Sequence, residues 1–159
     1  MSKKNSQNLE HLMTTVCNST AVDIDSNNLS IFNIIEEINI NNENPVDLTQ
    51  KKFIQVPFEL ISVWRRLDTS IEISADLKII FSDPDKEVMQ EIPYKLEIKN
   101  PHQRMRIRIK GNGLNVTKQG EYYFSILLKN GNSFEEIIKV PVSVKISSPV
   151  ASDLRILKK

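Results

Sequence analysis

The chain has 159 residues, which suits one domain with tails; a domain of that length buries roughly 70% of the surface its unfolded form exposes. Ile and Val together make up 32 residues against 3 Ala, a balance that favours strands over a helical bundle. With 21 Lys and Arg against 20 Asp and Glu, the chain is neither a globally basic nucleic-acid binder nor an acidic disordered segment, though a local patch stays open.

Residues 1–14 read as a flexible polar segment. Met1-Ser2-Lys3-Lys4 has charge but no apolar stretch behind it, so no signal peptide is expected. From Thr15 the pattern takes a period of two, and residues 15–147 are expected to form one antiparallel β-sandwich. Two β-rich runs, 16–24 and 29–38, flank Asp25-Ser26-Asn27-Asn28, residues that tolerate the left-handed backbone of a tight hairpin. Residues 39–52, rich in Asn and carrying Pro45, read as a long loop. The apolar run 53–67 follows, with Pro57 placing its start at an edge or bulge.

The clearest alternation comes next. Ile71, Ile73, Ala75, Leu77, Ile79 and Phe81 interleave with Glu72, Ser74, Asp76 and Lys78, which gives a strand with one wet face. Tyr94, Leu96 and Ile98 alternate with Lys95, Glu97 and Lys99; Met105, Ile107 and Ile109 alternate with Arg104, Arg106, Arg108 and Lys110. Tyr122, Phe124, Ile126 and Leu128 lead through Asn130-Gly131 to Ile138, Val140, Val142, Val144 and Ile146. Seven to eight strands result, with turns every 8–14 residues or so and no crossover helix, as in an immunoglobulin-like all-β sandwich. Strand content above roughly 40% is expected, against about 20–25% in a typical domain. Ile73, Leu77, Ile79, Tyr122, Phe124, Ile126, Val142 and Val144 should face inward. Residues 148–159 read as a tail.

Most chemistry is set aside by composition. No glycine-rich phosphate loop or nucleophile elbow occurs, and no cofactor is expected. One Cys and two His cannot supply a four-ligand zinc set. Asp83 with Asp85, and Asp23 with Asp25, could contribute to a calcium cage, but Asp is also the commonest turn residue for local reasons. Glu36-Glu37 and Glu135-Glu136 are adjacent on strands and so point to opposite faces, which denies either pair a shared substrate. Cys17, the sole cysteine, excludes an intramolecular disulfide and favours a cytoplasmic setting; it reads as a small buried hydrophobe rather than a nucleophile. No stretch is long and apolar enough for a membrane-spanning helix, and no membrane partner is expected.

One feature rises above this background. Between Ile98 and Gly120 lie six Lys or Arg and no acid, and four of them, Arg104, Arg106, Arg108 and Lys110, share one face of one strand. Neighbouring cations there sit roughly 6.8 Å apart and repel. An anionic partner would relieve that repulsion, either an acidic protein surface or, less favoured, a nucleic acid. Acids across the sheet, with Glu72, Asp76 or Glu97 as candidates, would relieve it internally, and charge on an edge strand also blocks aggregation.

Cys17-Asn18-Ser19-Thr20-Ala21-Val22-Asp23 and Leu29-Ser30-Ile31-Phe32-Asn33-Ile34-Ile35, with Val56-Pro57-Phe58 and Gly120-Glu121-Tyr122-Tyr123-Phe124, resemble recurring pieces of a family of uncharacterised bacterial immunoglobulin-like β-sandwich proteins. Asn18 stands where that family carries an acid, and Asn27-Asn28 where it carries a glycine-lysine turn. The resemblance implies the fold and adds no chemistry. The expectation is a non-catalytic binding or assembly module for a protein partner, a second copy of the chain or another protein. A nucleic-acid or other anion binder using the basic strand is the alternative, and an enzyme with a site unreadable from sequence the third.

Overall fold

A computed structural model describes residues 8–41 and 52–147. Among them there is no helix, and 73% lie in strands. The strands are β1 (Leu9–Val22), β2 (Leu29–Ile34), β3 (Glu37–Asn41), β4 (Lys52–Ile54), β5 (Phe58–Arg66), β6 (Ile73–Ser82), β7 (Val88–Ile98), β8 (Arg104–Gly111), β9 (Leu114–Val116), β10 (Gly120–Asn130) and β11 (Ser133–Ser147). One sheet has the order β2-β1-β5-β8, a second β3-β11-β10-β6-β7, and β4 pairs with β9 in a two-stranded ribbon.

Three expectations change. Eleven strands are described rather than seven or eight, in part because β4 and β9, at three residues each, are too short to show alternation. β1 begins at Leu9 rather than Thr15, since Glu10 and His11 already pair with Arg65 and Trp64 of β5. The single run expected at 29–38 divides at Ile35-Glu36, where the chain changes sheet. The Ile35 amide donates to the Val16 carbonyl in the first sheet (2.8 Å), while the next carbonyl, of Glu36, accepts from the Ser143 amide in the second (2.9 Å). Having crossed, the chain enters as β3 parallel to β11, so the second sheet is mixed and not purely antiparallel. The segment 148–159, and residues 42–51 of the expected long loop, lie outside the described residues.

The two large sheets share one apolar core. Leu60, Trp64 and Ile107 of the first meet Leu77, Ile79, Tyr122, Phe124 and Val142 of the second. The Phe124 ring lies 5.3 Å from Phe58 and 4.8 Å from Phe81, centroid to centroid. All eight residues expected to face inward are buried. The Tyr122 hydroxyl accepts from the amides of Thr117 (2.9 Å) and Lys118 (3.2 Å) and donates to the Lys118 carbonyl (2.8 Å), so its burial leaves no orphaned polar atom.

β5 is buried on both faces, which is why its sequence reads as a continuous apolar run rather than an alternation. Its inner residues join the common core. Its outer residues Ile61 and Val63 form a second cluster with Cys17, against which Leu29 and Ile31 of β2 pack. The β1–β2 hairpin therefore lies over the outer face of the first sheet. At the hairpin's tip the Asp23 carboxylate accepts from the Ser26 amide and hydroxyl, and Asn27 adopts φ +54°. No helix among the described residues is long and apolar enough to cross a membrane.

Candidate functional site

Among the described strands β8 forms one edge of the first sheet and pairs with β5 alone. Ile107 is fully buried and Met105 and Ile109 pack against the core, so alternation sends Arg104, Arg106, Arg108 and Lys110 to the outer face. Across the ladder Arg104 stands opposite Arg65, Arg106 opposite Val63, Arg108 opposite Ile61 and Lys110 opposite Glu59.

Glu59 is the internal counter-charge. Its side chain is 8% exposed, and its carboxylate lies 3.4 Å from Arg108 Nε and 3.2 Å from Lys110 Nζ and accepts from the Thr20 hydroxyl at 2.6 Å. The Thr20 hydroxyl, with Lys110 and Arg108, holds this carboxyl below the ordinary glutamate range, against the opposing effect of burial. Arg106 is held differently: its guanidinium donates to the Asn27 side-chain oxygen (3.1 Å) and backbone carbonyl (2.6 Å) on the hairpin tip. Arg104 makes no hydrogen bond or ion pair with any described residue. With Glu97, Lys99, His102 and Met105 it lines an open hollow of about 350 Å³ at the start of β8.

The acids expected to face this row do not. Glu72 accepts from the Asn100 amide, Asp76 pairs with Lys129, and Glu97 pairs with Lys99. They lie on β6, on β7 and just ahead of β6, outside the β5–β8 ladder. Glu59 lies inside the apolar run 53–67, and only the register between two strands some 45 positions apart in sequence brings it to Arg108 and Lys110. Its one signal is that it is the sole acid in that run.

Among the described residues the edge is also open along its backbone. The Arg66 amide donates to the Gln103 carbonyl at 3.0 Å, which makes that pair a hydrogen-bonded one. Antiparallel ladders alternate, so Met105, Ile107 and Ile109 bond to β5, and the N–H and C=O groups of Arg104, Arg106, Arg108 and Lys110 point away from it. The same four residues carry the cations and the free edge.

Elsewhere the titratable groups serve local structure. The Cys17 thiol is buried and donates to the Glu59 carbonyl (3.5 Å); burial first, then the charge of Glu59, pushes its pKa up, away from a nucleophile's range. The Asp83 carboxylate accepts from the amides of Asp85 and Glu87, and Asp85 pairs with Lys118. Glu37 pairs with Lys145, while Glu135 accepts from Asn130 and Glu136 from the Ser125 hydroxyl. Buried Arg66 ties two loops together, donating to the Ile71 carbonyl (3.2 Å) and to Asn100 Oδ1 (2.6 Å). No protein-family model matches the chain, and no curated protein matches it in sequence.

Proposed function

We propose that the chain is a non-catalytic, immunoglobulin-like β-sandwich acting in the cytoplasm as a protein-binding or assembly module, with β8 as the surface that receives its partner. The observation that carries this reading is the coincidence of four cations and a backbone edge that no described strand pairs with, on the same four residues, Arg104, Arg106, Arg108 and Lys110. The immunoglobulin-like assignment draws support from Tyr122, at the start of β10, whose hydroxyl returns to the backbone four residues upstream, as the tyrosine corner of such sandwiches does. Glu59 offsets part of the positive charge and leaves a surplus. A protein partner is favoured over single-stranded nucleic acid because the outer face of β8 bears no aromatic on which a base could stack.

The test is affinity capture from the chain's native lysate with the unchanged protein and with Arg104→Glu, followed by mass spectrometry. A protein retained by the first, lost with the second and insensitive to nuclease is the expected result. Capture that the substitution leaves unchanged, or that nuclease abolishes, would overturn the reading.

A further inference from the structure

We infer that β8 accepts an extended acidic segment of its partner as an added β-strand, with carboxylates at every second position facing Arg104, Arg106, Arg108 and Lys110. The inference rests on the reading of β8 as the docking surface and specifies what docks.

Strand addition needs free main-chain groups, and the four outward residues of β8 supply an N–H and a C=O each, at the spacing a new ladder uses. Their side chains fall on one face with a period of two, so an incoming strand presents one carboxylate to each cation. Its intervening residues would share the face of Met105 and Ile109, which are only partly buried, and apolar side chains suit them. The recognised pattern is thus acid alternating with apolar. Arg106 and Arg108 are already held by Asn27 and Glu59, which lowers the cost of ordering them on binding.

A second copy of the chain is a poor occupant. In antiparallel self-pairing about the middle of β8, Arg104 meets Lys110 and Arg106 meets Arg108, and like charges directly opposite are destabilising. β7, one edge of the other sheet, is interrupted by Pro93, which cannot donate to a ladder; β8 contains no proline.

The test uses the full chain and a fluorescent peptide eight residues long, matching β8, in which Glu alternates with Val and Thr. Anisotropy titrations compare it with the same peptide N-methylated at the amides that would face β8, with a peptide of equal composition whose glutamates are contiguous, and with an oligothymidylate. The alternating peptide should bind; N-methylation, which keeps every charge, should weaken it about tenfold or more. Arg104→Glu, at a residue whose side chain has no partner among the described residues, should weaken it about three- to tenfold while leaving thermal unfolding unchanged. Equal binding of the methylated or contiguous peptide overturns strand addition and leaves β8 standing as a charged docking surface. Tighter binding of the oligothymidylate overturns the protein partner, and binding of none of the probes overturns the docking surface itself.

Discussion

At the scale of single residues, Glu59 decides how the basic strand is tolerated. Glu59→Gln removes the counter-charge of Arg108 and Lys110 while keeping an acceptor for Thr20, and should cost about 1.5–3 kcal/mol at neutral pH, the range for hydrogen bonds to charged groups. The pH dependence has a definite sign. The folded carboxyl titrates below the ordinary value of 4.5, so its stabilisation is full above that pH and is lost as pH falls further. Urea unfolding of the two proteins should therefore converge as pH is lowered below the ordinary glutamate value of 4.5. A gap that stays constant would mean that Glu59 acts through packing rather than charge. Arg106→Gln with Arg108→Gln removes the contacts to Asn27 and Glu59 together, and should lower stability by up to about 1 kcal/mol. A rise in stability would show that repulsion along β8 outweighs both contacts. The sequence already displays the four cations, because alternation is local. It hides their partners, because Asn27 and Glu59 are brought in by a hairpin fold-over and a strand register that no short-range pattern encodes.

At the scale of elements, legibility follows what each strand has on its two faces. β6 and β10 separate a core face from a wetter one, and their inward residues can be read directly from the alternation. β5 has protein on both sides and no alternation, so its outward cluster of Ile61 and Val63 with Cys17 could not be told from core. The change of sheet at Ile35-Glu36 is hidden for a related reason: Ile31 and Ile34 before it and Ile38 after it read as one β-rich run, and the crossing shows in the backbone hydrogen bonds. A pair of substitutions tests this two-sided burial. Phe124→Ala opens the common core and should cost about 3–5 kcal/mol; Ile61→Ala, on the opposite face of the first sheet, should cost about 2–5 kcal/mol. An Ile61→Ala loss below about 1 kcal/mol, measured by chemical denaturation, would mean that the hairpin does not cover β5.

At the scale of the whole molecule, a net charge of +1 gives little long-range repulsion between copies, so protection of an open edge falls to the charges on that edge. β7 is blunted by Pro93, whereas β8 has only its cation row. Replacing Arg104 and Lys110, the residues that meet when two β8 strands pair antiparallel, with Thr keeps good strand formers in place and removes the outer like-charge clash. The Glu59–Arg108 pair and the Arg106–Asn27 contact remain, so the fold keeps its anchors. Sedimentation velocity over a concentration series should show the double variant associating more than the unchanged chain, and added salt should raise association of the unchanged chain by screening the same row. Both effects require that the β8 backbone can take a partner strand. If neither substitution nor salt changes the association state, the edge is not competent to pair, and the acidic segment proposed for it would have to bind through side chains alone.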